Sequence, residues 1–369
     1  MNFRSQSQRV DFIDIKNFLP GPTMVRPELL AQLSQPIIGH RTPEFRQLMA
    51  QINPRLQRLF GAQNPVFCFT CTASAAMEAA LLNAGGGKIL ILANGLFGER
   101  WGQAALKLGL DSAILDAGWG KPFSPGEIER RLGQEGFSSL VLVHGETSTG
   151  MLNPVEPLSA ILSGRDDVLL IVDAVATIGG VALRMDQAGI DVLVGALQKC
   201  LALPPGIVPI GVSQKALERS RASRRKGYAG DFSLWQERWK ECEVVATPAL
   251  PQLYALNYQL AQIEAETLPA RWERHQRMLN MTSDWAKRHG WRTFAPQDFL
   301  LPSVSCLLPP LGEDTTPWVA ALRDRGYLID GGYGRLNGQV LRIGHMGDWR
   351  EKDLAGLLQA LAEIVPQRF

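Results

Sequence analysis

Asp173 and Lys199 are the two residues whose types and settings promise chemistry. Lys199 lies in Asp191-Val-Leu-Val-Gly195-Ala-Leu-Gln198-Lys199-Cys200-Leu-Ala-Leu-Pro204-Pro205-Gly206. A short apolar strand is expected to end at Gly195, and the Pro-Pro-Gly turn forbids a regular helix right behind the lysine. Burial disfavours an ammonium and lowers its pKa. A lysine lowered in this way is the usual nucleophile for carbonyl chemistry, including a Schiff base with pyridoxal phosphate. The competing reading is a surface lysine that snorkels beside a turn. Asp173 ends the apolar run Val168-Leu-Leu-Ile-Val172. A carboxylate there needs a cationic or hydrogen-bonding partner, and a protonated pyridine nitrogen would be one. A helix cap or a metal competes, but no His/Asp/Glu cluster with metal-ligand spacing accompanies it, so no metal is expected. An Asp at one strand end and a Lys at the next suit the two ends of the pyridoxal phosphate ring system.

Other strand ends carry weaker signals. Cys71-Thr72-Ala73-Ser74-Ala75 opens a helix with small hydroxyl residues. A helix N-terminus suits a phosphate, although ordinary Ser/Thr caps are more numerous. Phe97, in Asn94-Gly95-Leu96-Phe97-Gly98, is able to stack on a flat ring or to serve the core. His144-Gly-Glu-Thr-Ser-Thr-Gly150 puts polar side chains directly after an apolar run, where they need partners. Cys68 and Cys71 form a C-x-x-C, but Cys68 sits inside an apolar run and reads as core.

These residues need elements to hold them. Apolar runs at Val66–Thr70, Ile89–Ala93, Ser112–Leu115, Leu140–Val143, Val168–Val172, Val192–Val194 and Ile207–Val212 read as strands. Helical patterns intervene at Ser74–Asn83, Phe97–Leu108, Pro125–Gly133 and Pro154–Leu162. Alternation of this kind predicts an α/β fold, with a mostly parallel seven-stranded sheet between helices. Ligands of such sheets bind beyond the carboxyl ends of the strands. After about residue 230 the texture becomes α+β, with long amphipathic helices at Leu250–Leu268 and Ala270–His289. The expected division is an N-terminal arm over 1–22, a large domain over 23–249 and a smaller C-terminal domain over 250–369.

Composition bounds the rest. Of 369 residues, 46% are hydrophobic and 20% charged, as in a globular protein with a large core. The net charge of +2 offers no general field for nucleic acid or an acidic membrane. Five cysteines, an odd number, suggest no disulfide framework and a reducing compartment. No signal-type N-terminus, no span of about 18 apolar residues and no peroxisomal C-terminus is read, so the expected location is cytoplasmic.

The chain also resembles the class V aminotransferases of pyridoxal phosphate fold type I, and among them the alanine/serine:glyoxylate (or pyruvate) enzymes. The matching stretches are Pro20-Gly-Pro-Thr23, Gly39-His40, Met77-Glu78-Ala-Ala80, Asn94-Gly95-Leu-Phe97-Gly98-Glu-Arg-Trp101, His144–Gly150 and Val172-Asp173-Ala-Val175. Gln198-Lys199 with Pro204-Pro-Gly206, Thr247-Pro, Leu253-Tyr-Ala-Leu256 and Arg342-Ile-Gly-His-Met-Gly347 complete the order. The resemblance implies amino transfer from a small amino acid, alanine or serine, to glyoxylate or pyruvate, with ping-pong kinetics. Lys199 would hold the cofactor as an internal aldimine and move the substrate proton. Asp173 would pair with the pyridine nitrogen, Val175 and Phe97 would cover the ring faces, and Thr147 would lie near the ring hydroxyl. Thr72, Ala73, Ser74 and Gln198 would surround the phosphate, and Thr247 would reach the neighbouring site of a homodimer. Arg342 would clamp the substrate carboxylate. Ala73 and Ala75 replace usual glycines, Leu197 a usual serine, and Val244 an aromatic hydroxyl of some relatives, all of which weaken phosphate binding in principle. The alternatives are another reaction of the same cofactor, such as a lyase or desulfurase, and a catalytically weak partner subunit.

Overall fold

The computed structural model describes residues 15–365. Readings of residues 1–14 and 366–369 lie outside the described residues. Two helices precede the sheet, α1 (Pro27–Gln32) and α2 (Pro43–Phe60). All seven expected strands are present: β1 (Val66–Phe69), β2 (Lys88–Ala93), β3 (Ser112–Asp116), β4 (Phe137–Val143), β5 (Leu169–Asp173), β6 (Val192–Val194) and β7 (Val208–Val212). They form one sheet in the order β1-β7-β6-β5-β4-β2-β3. Neighbours from β6 to β3 are parallel. Only β7 is reversed, antiparallel to both β6 and β1.

Parallel pairing requires long crossovers. The helices α3 (Ala73–Asn83), α4 (Leu96–Lys107), α5 (Pro125–Gln134) and α6 (Glu156–Leu162) lie within them. Covering on both faces explains why β5 and β6 are buried at every residue. The chain leaves β2 outward to β3 but leaves β4 inward to β5, so a crevice opens at their carboxyl ends. After β7 come α7 (Gln214–Ala222), α8 (Phe232–Lys240), α9 (Leu250–Glu266) and α10 (Leu268–Arg288). A second, antiparallel sheet of β8 (Arg292–Thr293), β9 (Ser305–Leu308) and β10 (Leu341–Ile343) follows, with α11 (Thr316–Asp324) and α12 (Glu351–Ile364).

The apolar interior divides into a main core reaching from Leu29 to Ile263 and a second core built from Phe18 and from Met278 to Val365. Leu253, Leu256 and Leu260 of α9 belong to the main core, and the second core begins within α10. The segment before α1 is fastened at its described end. Lys16–Asn17 pair in parallel with Tyr327–Leu328. Phe18 is buried and stacks on Trp349 with ring centroids 4.2 Å apart. Paired backbone and a buried aromatic fasten this segment to the second core.

Candidate active site

One pocket at the carboxyl ends of the strands is lined by Ala73, Ser74, Phe97, Thr147, Asp173, Val175 and Lys199. These seven residues come from five separate stretches, and each is held by local chemistry.

Lys199 follows β6 in a tight turn. Its carbonyl accepts from Ala202, whose φ of 54° lies in the left-handed region. The Nζ amine donates to the carbonyl of Pro20. Gly21 lies directly against the side chain: a Cβ there would stand 2.5 Å from Nζ, and its φ of +114° is one that side-chain-bearing residues rarely adopt. Burial lowers the pKa of Lys199 to about 8, helped by the Arg342 guanidinium, while Asp173 opposes the shift. A neutral amine is therefore accessible near neutral pH.

Asp173 closes β5. Its Oδ2 accepts from the Trp101 indole at 2.9 Å, and its Oδ1 accepts from the Val175 backbone N–H at 3.0 Å. Burial raises its pKa, while these two donors and the Lys199 charge pull the other way.

Phe97 is positioned from a distance. It occupies the first turn of α4, and the Glu146 carboxylate accepts the N–H groups of Phe97 (2.9 Å) and Gly98 (3.2 Å). The other Glu146 oxygen takes the backbone N–H and hydroxyl of Ser148. A buried carboxylate thus satisfies free donors at the positive end of a helix dipole. Burial raises the Glu146 pKa against these four hydrogen bonds. Gly95 is required beside it, since a Cβ there would lie 2.4 Å from Glu146 Cγ.

Thr72 caps α3, its hydroxyl accepting from Ala75 at 3.2 Å. Ser74 is exposed at the second helical position, and its hydroxyl makes no hydrogen bond among the described residues. The two alanines that replace family glycines occupy ordinary helical positions, with neither at positive φ. Alanine suits such sites, so the substitutions introduce no backbone strain.

Arg342, on β10, is 5% exposed. Its Nε donates to Asp330 at 2.8 Å and its Nη1 to the carbonyl of Thr147 at 3.0 Å. Nη2 makes no hydrogen bond among the described residues. Arg342 thereby joins the second sheet to the loop that lines the pocket.

Four expected residues do not line the pocket: Thr72, Gln198, Thr247 and Arg342, the last of which reaches the pocket wall through the carbonyl of Thr147. Gln198 adjoins Lys199, and its carbonyl accepts from Thr23. Thr247 is exposed. Trp101, Arg100 and Glu146 received no role from the sequence. Arg100 lines the pocket and holds its guanidinium 4.8 Å from the Phe97 ring centre. Glu146 lies in the polar stretch that directly follows an apolar strand, whereas Arg100 and Trp101 lie further on, inside α4.

The crystal structure of an alanine–glyoxylate aminotransferase from Nostoc sp. superimposes with a TM-score of 0.93 at 30% identity, covering 99% of each chain. The small subunit of a soluble hydrogenase from Synechococcus sp. is 30% identical over 95% of this chain and 92% of its own length. Rat (Rattus norvegicus) alanine–glyoxylate aminotransferase is 32% identical over 89% of this chain and 82% of its own. The sequence pattern described as Aminotransferase class-V matches residues 30–293, a span that contains Lys199, Asp173 and the whole seven-stranded sheet. With its fold and most of its length in agreement, the chain belongs to the class-V aminotransferase family.

Proposed function

We propose that the protein transfers an amino group from a small amino acid, alanine or serine, to glyoxylate or pyruvate. The observation that carries this reading is the meeting of Lys199 and Asp173 in one pocket, with Arg342 bonded to its wall at Thr147.

The family depends on pyridoxal phosphate, and the donor set here fits that group. A primary amine of lowered pKa, a buried carboxylate, an aromatic ring and an unpartnered hydroxyl at a helix N-terminus line the same space. Lys199 would hold the cofactor covalently, and Asp173 would pair with its ring nitrogen. Phe97 and Val175 would cover its faces, Thr147 would meet its ring hydroxyl, and Thr72, Ala73, Ser74 and Gln198 would surround its phosphate. When bound, the cofactor supplies an electron sink for charge developing at the substrate α-carbon. This chain's own residues do the remaining work. Arg342 orients the substrate carboxylate as a fixed, always charged fork. Lys199 takes the α-proton as a neutral amine and returns it. Asp173 keeps negative charge against the ring nitrogen. Donor and acceptor use the same pocket in turn, which gives ping-pong kinetics.

The homodimer, with Thr247 reaching the partner's site, belongs to this proposal; its support is the exposure of Thr247. No helix among the described residues is long and apolar enough to cross a membrane; the cytoplasmic setting belongs to this proposal. A division into two units is supported by the separate cores, with the second unit starting at α10. The desulfurase alternative loses ground at Cys200, which is buried, donates to the carbonyl of Ala176 and has a pKa pushed up to about 11. Such a thiol is a poor nucleophile.

Replacing Lys199 tests the proposal. Lys199→Ala should abolish transfer between alanine or serine and glyoxylate, together with the visible absorbance of the protein-bound cofactor. Full turnover in this variant would overturn it.

A further inference from the structure

Trp101 is bonded to this site although it does not line the pocket. Its indole is fully buried, and its Nε1 donates to Asp173 Oδ2 at 2.9 Å. It lies one helical turn on from Phe97, so one rigid helix carries both the aromatic wall of the pocket and a donor to its carboxylate. The backbone of Val175 serves the other carboxylate oxygen. With a single donor, the carboxylate plane would be free to swing, because a terminal torsion to a planar group is broad. Donors on both oxygens pin it.

We infer that Trp101 is a positioning residue: its indole N–H fixes the plane of Asp173 and favours the ionised carboxylate that a protonated ring nitrogen requires. The inference rests on the role given to Asp173 in the proposed function. Burial drives a carboxylate toward its neutral form, and hydrogen bonds to the ionised form oppose that drive. The charged groups facing Asp173 are Lys199 across the pocket and Arg100 on α4. His144 gives only its backbone N–H to the Asp173 carbonyl and turns its ring to Thr177. Phenylalanine at position 101 would keep most of the packing and remove only the donor.

Two measurements test this, one without cofactor. In the apoprotein labelled at indole nitrogen, one of the nine tryptophan N–H resonances should follow a carboxylate titration, and Asp173→Asn should remove that response. If no indole resonance responds to Asp173→Asn, the inference falls, whatever the protein's activity. In the cofactor-loaded protein, Trp101→Phe should lower kcat roughly 10- to 100-fold, the range set by one hydrogen bond to a charged group. The KM of the amino donor should change less than about twofold, and the pH at which the bound cofactor's absorbance changes should move by about one unit. An unchanged kcat and pH profile would overturn the inference. Should Trp101→Phe fail to fold, the apoprotein titration decides alone. If the wild-type protein binds no pyridoxal phosphate, it is the proposed function that fails, and the indole titration still reports on Trp101.

Discussion

The charge state of Lys199 makes the most direct quantitative prediction. With a pKa of about 8, its amine is neutral in roughly one molecule in ten at pH 7, against roughly one in 2,500 for an ordinary lysine. The nucleophilic fraction is therefore on the order of 200-fold larger. Competitive acetylation of the apoprotein with acetic anhydride, followed by peptide mapping across pH, reads this fraction at Lys199 itself. The midpoint should lie near pH 8. Two variants should move it in opposite directions. Arg342→Met removes a neighbouring cation and should raise it; Asp173→Asn removes an anion that favours the ammonium and should lower it. The depressed pKa also sets a sign for stability. Between pH 8 and about 10.5 the unfolded chain holds more protons at this residue than the folded one. The Lys199 contribution to stability is thus unfavourable below pH 8 and improves as pH rises through that window. Urea melts of wild type against Lys199→Met should show the variant ahead at pH 7 and the gap closing toward pH 10.5. A labelling midpoint at the ordinary lysine value, or the same direction of shift in both variants, would refute the argument.

Other substitutions probe the supports of the site. Glu146→Ala strips the partner from the N–H groups of Phe97, Gly98 and Ser148 and from the Ser148 hydroxyl; urea unfolding should show a loss of about 3 kcal/mol or more, and a loss below ~1 kcal/mol would mean these donors find other partners. Gly21→Ala places a methyl 2.5 Å from Lys199 Nζ at a φ of +114°. Single-turnover rates should fall about 100-fold through the displaced amine, with a stability loss of about 1–3 kcal/mol; a wild-type rate would show that the loop yields freely. Arg342→Lys gives up the planar fork, so steady-state kinetics should show kcat/KM for the amino donor reduced roughly 10- to 100-fold, and an unaffected value would remove Arg342 from substrate binding.

Much of this architecture is legible in the sequence. Sheet strands appear in sequence as apolar runs bounded by turns, and all seven lie within a few residues of the runs that predict them. Lys199 and Asp173 were legible because charge directly after such a run has few structural uses. The reversal of β7 leaves no mark in the apolar pattern: no helix lies between Val194 and Val208, but none lies between Asp173 and Val192 either, and β5 and β6 are parallel. The supports of the site stayed hidden for another reason. Glu146 and Phe97 are 49 residues apart, and Trp101 and Asp173 are 72 apart. Residue type says that such groups need partners; only the packed fold says which ones. The Pro20 carbonyl beside Lys199 is a backbone atom and leaves no mark in composition at all.

The fastening of Phe18 between Leu328, Gly344 and Trp349 has a consequence for how the protein is made. A ribosome releases earlier residues first, so Phe18 emerges well before Leu328, Gly344 and Trp349. The segment that carries the Pro20 carbonyl therefore waits for those partners before it is fastened beside Lys199. A chain interrupted between β7 and β10 would contain the lysine and the entire seven-stranded sheet, but not the partners that fasten Phe18. Completion of the active centre thus waits on the second core.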